Sequence, residues 1–447
     1  MKKLVALFMA LVMMLSIAAV AFAETPKITL IVWSFTDELR GMIDKYYVPS
    51  HPDVEIKYTL YPTDGSEYRN KLDTVIATAP TGDEAPDVFA LEAAFVKYYV
   101  NSDTTVPLTE LGFTDEDFAN SIPAMVQIGT DSRNGMQKAS AWQSTPGAMF
   151  YRASLAEKYL GVTSPEEFQE LVADWDTFME TAEEINEKSQ GAVKMFNSIG
   201  DIWNAYQYNR AAGWVVDGKL NIDPVLYDYL DLAKQAEEDG LYNLGSAWSE
   251  TWFLGMKSDT TLTYLLPTWG LHYVLKPNCG NYDAETDSIV EGAEGTYGDW
   301  RMVDGPIGYS WGGTWLGANA YKMAEADDAK KAAVKEFIRF FTLDEDFLYT
   351  YAKDSGDFVS NNNVVNKIVA EGGTPNPFLG GQDHYAAFST AANLADGTIM
   401  TEYDDAINTL WSDNVTTPYI KGEKDLDTAI ADFKAAVAAA FANIIVE

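Results

Sequence analysis

The chain has 447 residues, 47% of them hydrophobic, with 31 basic against 67 acidic side chains and a formal net charge of −36. Such a length and apolar content suffice for two or three compact units with a large core. The acidic balance, with no basic cluster to offset it, argues against nucleic acid and anionic membrane surfaces as partners, and the single cysteine, Cys279, excludes an internal disulfide.

The chain opens with Lys2 and Lys3, an apolar run from Leu4 to Val20, then Ala21, Phe22 and Ala23 ahead of Glu24. This pattern reads as a signal peptide over residues 1–23, cleaved after Ala23. The expected location is therefore the periplasm or the extracellular space. An uncleaved anchor fits less well, because small residues interrupt the run, and a lipid anchor would need a cysteine after the cleavage point. Beyond residue 23 no apolar run approaches the roughly 20 residues that a membrane span requires, so the mature chain is expected to have no stable membrane insertion.

From Lys27 the sequence Ile-Thr-Leu-Ile-Val-Trp predicts a strand buried on both faces. Leu39, Met42, Ile43 and Tyr46 then repeat at helical spacing, and Val54, Ile56, Tyr58 and Leu60 alternate as a second strand. Tyr68, Leu72, Val75, Ile76 and Ala79 share a helix face, and a third strand over Asp87 to Leu91 follows the turn-rich segment 80–86. This β-α-β-α-β series predicts a doubly wound α/β lobe, whose ligands bind beyond the carboxyl ends of the strands. Those ends carry Trp33, Ser34, Phe35 and Asp37, then Asp64, then Glu92.

Beyond Gly135 the pattern restarts with an extended segment from Ala139 to Tyr151 and helices near 166–187 and 224–238, which implies a second lobe. Val334, Phe337, Ile338 and Phe341 stripe one later helix, and Leu426, Ile430, Phe433, Val437, Ala440 and Ile444 the terminal one. There is no internal repeat and no low-complexity linker, so strands that cross between the lobes are a better connection than a tether.

Twelve Trp, 25 Tyr and 21 Phe are the unusual numbers. Phe168, Leu171, Val172, Trp175 and Met179 form one helical stripe and read as core. By contrast Trp142, Trp203, Trp214, Trp248, Trp252, Trp269, Trp311 and Trp315 stand among Gly, Pro, Ser, Asn and Asp, the composition of loops and element ends. Any one of them can be packing. As a set they predict an aromatic-lined cleft, since an indole face matches the flat C–H face of a pyranose ring.

The order of segments resembles the family 1 extracellular solute-binding proteins, the maltose-binding-protein-like carbohydrate receptors of ABC importers. The likeness is carried by Val32-Trp33, the helix from Tyr68 to Leu72, Ala85-Pro86-Asp87-Val88 and the segment from Pro146 to Arg152. Trp175 to Phe178, Leu266-Pro267-Thr268-Trp269-Gly270 and Gly312-Gly313-Thr314 continue it in the family's order. The resemblance implies a type II periplasmic-binding-protein fold with discontinuous α/β lobes, one of residues 24–139 plus 308–355 and one of 140–307 plus 356–447. These would close over a sugar or oligosaccharide and present it to membrane permease subunits, without a cofactor. It also implies a stacking aromatic at Trp33 with Ser34 and Asp37 nearby, Glu92 in the loop after the third strand, Trp203 with Asp201 from the second lobe, Trp269 in its Pro-x-Trp setting, and Trp142 and Trp311 at the hinge. Phe35, Ala93 and Ala94 stand where maltose binders have polar or charged groups, which argues against maltose itself.

Four other chemistries leave partial traces. Gly308-Tyr309-Ser310-Trp311-Gly312 matches the nucleophile elbow of hydrolases, but Pro306 precedes it, glycines follow it, and His384 is the sole downstream histidine. Asp283, Glu285, Asp287, Glu291 and Glu294 fall at calcium-loop positions, with Ser288 in place of the turn glycine. A secreted glycoside hydrolase needs only two carboxylates, and a polyamine receptor of similar fold would also use Trp with Asp and Glu. Both remain open alternatives at this level.

Overall fold

Apolar or alternating segments of three to seven residues become the strands of two sheets, and the striped segments between them become the covering helices. The computed structural model describes residues 27–373 and 375–447; the signal peptide expected over 1–23 lies outside them. Eight strands build the two main sheets: β1 (Ile28–Ser34), β2 (Val54–Leu60), β3 (Val88–Glu92), β4 (Ala139–Ala141), β5 (Gly147–Arg152), β6 (Thr263–Pro267), β7 (Trp300–Val303) and β8 (Thr314–Ala318). The first sheet has the order β2-β1-β3-β8-β4, with β1 parallel to both neighbours and β8 antiparallel to β3 and β4. Helices α1 (Asp37–Met42) and α2 (Glu67–Thr78) make its crossovers, and α3 (Ala93–Val100) leaves the end of β3.

The second sheet, β7-β5-β6, is wholly antiparallel. Alternation along its strands gives it two buried faces. Met149, Tyr151, Leu265 and Val303 point into one core, shared with α4 (Trp175–Lys188) and α5 (Val225–Glu238). Ala148, Phe150, Leu266 and Met302 point into the other, which runs on into the core of the first sheet. The chain is thus an α/β protein of two lobes, each assembled from separated segments. The helix expected over 166–187 is two helices, Pro165–Glu170 and α4, because Asp174 and Thr177 cap a fresh start with a reciprocal pair of hydrogen bonds.

One buried carboxylate ties the first sheet to its helical cover. Asp87, 1% exposed, accepts from the Ile31 backbone N–H at 2.7 Å and from Lys330 Nζ at 2.6 Å, with Lys322 Nζ at 3.5 Å. Lys330 lies in the first turn of α6 (Asp328–Leu343), whose Val334, Phe337, Ile338 and Phe341 are the buried stripe read from the sequence. The last helix, α7 (Leu426–Ala440), buries Ala429, Phe433 and Val437 and stops before Ile444.

Three segments cross between the lobes side by side. Residues 142–146 hydrogen-bond on one flank to 358–360, through Ser144 N–H to Phe358 O at 2.8 Å and Ser360 N–H to Trp142 O at 2.9 Å. On the other flank Trp311 N–H donates to Thr145 O at 3.0 Å and Gly147 N–H to Tyr309 O at 2.8 Å. Gly147 is required there, since a Cβ would lie 1.9 Å from the Tyr309 ring. Among the described residues no helix is long and apolar enough to cross a membrane.

Candidate functional site

A cleft of about 990 Å³ lies beside this hinge and takes its walls from both lobes. From the first sheet come Glu92, Ala93 and Ala94, where β3 turns into α3. Glu92 caps that helix, its carboxylate accepting from the Ala94 N–H at 2.8 Å. It is only half-buried by exposure yet walled in by the cleft. Burial, with Asp405 opposite, pushes its carboxyl up to about 7 against the pull of the Ala94 N–H.

The facing wall begins where Ser198 caps the helix Ile199–Tyr206 by accepting from the Gly200 N–H. That helix and the turn after it present Trp203, Asn204, Tyr208 and Arg210 to the cleft. Trp203 is backed by Tyr229, ring centroids 5.0 Å apart. A third wall is the helix Asp404–Trp411 with the loop before it, anchored in the second core by Ile407 and Trp411. This wall also reaches the first lobe, through Arg69 and Asp405 at 3.0 Å, Asn101 Nδ2 donating to Glu402 at 2.7 Å, and the Gly397 N–H donating to Gln127 at 3.0 Å.

Trp311 lines the hinge end of the cleft. Its carbonyl accepts from Trp269 Nε1 at 2.9 Å, and the two rings meet edge to face at 5.3 Å. Trp248 lies parallel to Trp269 with centroids 6.1 Å apart, giving a chain of three indoles. Trp248 is 54% exposed, and it and Leu244 hold positive φ angles, 69° and 54°. Non-glycine residues rarely sit there without surrounding support.

Among the residues singled out from the sequence, Glu92, Trp203 and Trp311 meet in the cleft, with Trp269 behind Trp311. The others lie elsewhere. Trp33 is 5% exposed, packed edge-on to Tyr61 at 5.1 Å, and Ser34 is buried beside it. Asp37 is on the surface near Arg40, at 3.7 Å. Trp142 is wholly buried. Asp201 sits beneath the wall, both carboxylate oxygens accepting from Trp252 Nε1 at 3.1 and 3.0 Å, and burial pushes it up to about 7. Trp214, Trp252 and Trp315 also fill cores. Arg210, Asp404 and Asp405 were not singled out for the site; their only sequence signal is proximity to Trp203 or a turn, which many surface residues share. Trp248 was named only within the set of tryptophans at element ends.

The acidic loop does not form a metal centre. Asp283 to Ile289 is a small hairpin in which Asp287 accepts from Lys276 Nζ at 2.8 Å and Tyr282 OH at 2.9 Å, and Asp283 accepts from the Glu285 N–H of its own turn. The hairpin keeps Asp283, Glu285, Asp287, Glu291 and Glu294 from converging, and among the described residues no three His, Cys, Asp or Glu gather to hold a metal. Ser310 belongs to the hinge, its Oγ within 3.2 Å of Thr145 Oγ1. The strand-turn-helix of a nucleophile elbow is absent at this serine.

The buried carboxylates set a pH dependence. Asp201 and Glu92 are pushed up to about 7, and burial also raises Glu38 and Asp357, which lie close enough to disfavour each other's charge. Between about pH 4 and 7 the folded chain binds protons at these groups that the unfolded chain has released, so their contribution is present at low pH and lost as pH rises through that window. Asp131, whose burial is outweighed by Arg133 and Lys138, is held well below the usual range and stays ionised throughout it. The melting temperature is therefore expected to be higher at pH 5 than at pH 7.5, with a shallower slope in Asp201→Asn. A protein that melts lower at pH 5 would contradict the assignment.

Two α/β lobes, hinged by crossings that pair antiparallel and enclosing a cleft of polar and aromatic walls, define a binding protein of the clamshell class. The chain belongs to the bacterial extracellular solute-binding proteins, whose family profile matches residues 42–374. A crystal structure of a family 1 extracellular solute-binding protein superposes with a TM-score of 0.76 at 20% identity, over 92% of this chain and 99% of that one. An ABC-transporter-associated binding protein of Bifidobacterium animalis subsp. lactis, in complex with β-1,6-galactobiose, gives 0.66 at 19% identity over 93% and 97%. The galacto-N-biose-/lacto-N-biose I-binding protein of Bifidobacterium longum, in complex with lacto-N-biose, gives 0.69 at 14% over 94% and 98%. At such identities the likeness is one of fold. Among curated proteins, none matches the sequence significantly.

Proposed function

We propose that this chain is the substrate-binding component of an ABC importer, exported after cleavage near Ala23, which captures an oligosaccharide between its lobes and delivers it unaltered to membrane permease subunits. The lobes would be residues 24–139 with 308–355 and 140–307 with 356–447. The observation that carries this reading is a single cleft in which Trp203 and Trp311 offer ring faces while Glu92, Asn204 and Asp404 offer hydrogen-bonding groups. Indoles take the apolar faces of sugar rings, and carboxylates and amides take their hydroxyls. Solved proteins of the same fold with β-1,6-galactobiose or lacto-N-biose bound add support.

A ligand touching both lobes only in the closed form drives closure through its differential affinity for that form. Calorimetric titration with β-1,6-galactobiose, lacto-N-biose and cycloalternan is expected to give a dissociation constant near the micromolar range, about 8 kcal/mol, for at least one of them. No new reducing ends should accumulate. Turnover would make the protein a glycoside hydrolase, and binding of spermidine alone would make it a receptor for cations.

A further inference from the structure

On the reading that the cleft takes a sugar, we propose that Arg210 and Asp404 form a charge-paired subsite in its wall. This subsite selects a neutral ring with adjacent hydroxyls over uronates and polyamines. Arg210 follows the helix that carries Trp203. Its guanidinium stacks on Trp214 at 5.2 Å and its Nε donates to the Gln207 carbonyl at 2.9 Å. Only a long approach joins it to Asp404, Nη2 to Oδ2 at 3.8 Å, although the two side chains are 2% and 12% exposed. Among the described residues the buried Nη1 has no hydrogen-bond partner. Asp404 is half-committed, since Oδ1 accepts from Thr401 Oγ1 at 2.6 Å while Oδ2 has only that long approach. Both residues line the cleft.

A buried N–H without an acceptor is costly, and so is a buried carboxylate oxygen without a donor. At 3.8 Å the two groups admit nothing between them, but a hydroxyl beside the pair can meet both. A hydroxyl can accept from the guanidinium and donate to Oδ2 at once, and a neighbouring hydroxyl can extend the pair. The carboxylate of a uronate can only accept, so placed at this pair it would set one oxygen against Asp404. An ammonium can only donate, and would face Arg210. The remaining charges near the pair are already engaged: Asp223 accepts from the backbone N–H groups of Ala211 and Val225, Asp405 pairs with Arg69, and Glu402 accepts from Asn101. This stretch of the wall therefore presents a cation beside an anion, a pairing that suits a neutral donor-acceptor, while Glu92 and Asp405 add negative charge elsewhere in the cleft.

The test is calorimetric titration of the intact protein and of Arg210→Gln and Asp404→Asn with β-1,6-galactobiose, lacto-N-biose, digalacturonate and spermidine, with circular dichroism to show that each variant is folded. The wild type should bind a neutral disaccharide at least tenfold more tightly than digalacturonate or spermidine. Each variant should weaken the neutral sugar by about tenfold to a hundredfold. A merely structural role would not produce a gain, whereas here Asp404→Asn should improve digalacturonate and Arg210→Gln should improve spermidine. Neutral-sugar affinity within twofold of wild type in both folded variants overturns the subsite and leaves the carbohydrate reading standing, as does a wild type that prefers digalacturonate. A wild type that binds spermidine alone, or neither any of the four nor cycloalternan, overturns both.

Discussion

Trp311→Ala and Trp203→Ala should each weaken oligosaccharide binding by about thirtyfold or more, because a tryptophan at the centre of a contact commonly contributes about 2 kcal/mol or more and 1.4 kcal/mol is a factor of ten. The two losses should differ in their side effects. Trp203 is backed by Tyr229 and Trp214, so its removal also loosens the wall. Removing Trp311 leaves its carbonyl, and with it the hydrogen bond from Trp269 Nε1, in place. Titration of both variants beside Trp33→Phe, a change within the first core, checks the assignment. Equal loss in all three would mean that packing rather than stacking is being measured.

Asp87→Ala should cost about 3–5 kcal/mol of folding stability, the usual penalty for removing one member of a buried ion pair. It would strand Lys330 against the Thr29 carbonyl and remove the acceptor for the Ile31 N–H in the middle of β1. Asp87→Asn should recover part of the loss by keeping that acceptor. Chemical denaturation of the two variants checks the order, and an alanine variant as stable as wild type would show that solvent reaches the lysines.

The first lobe was legible in the sequence because its strands are unambiguous. Val54, Ile56, Tyr58 and Leu60 mark the bounds of β2, and the third strand is displaced by one residue from the expected Asp87–Leu91. Val225–Glu238 follows the expected helix closely, whereas the break before Trp175 was missed because a cap in mid-stripe leaves the helical period almost intact. The site was less legible. A tryptophan beside glycine or proline marks the end of an element but not which way the ring points, so Trp142, Trp214, Trp252 and Trp315 turned inward while Trp203 and Trp311 line the cleft. Arg210 and Asp404 carry no local pattern. In a chain with 67 acidic residues, only the fold distinguishes one that pairs across a cleft from one that faces water.

The placing of β8 between β3 and β4 has a bearing on how the protein comes to be folded. The edge strand β4 has β8 as its one neighbour in the sheet, and the whole of the second sheet is encoded between the two. A polypeptide emerging amino end first cannot finish its first lobe until most of its length is out, since pairings between such distant segments must wait for both. The topology thus supplies a built-in delay, leaving the first lobe one strand short until residues 314–318 have been made.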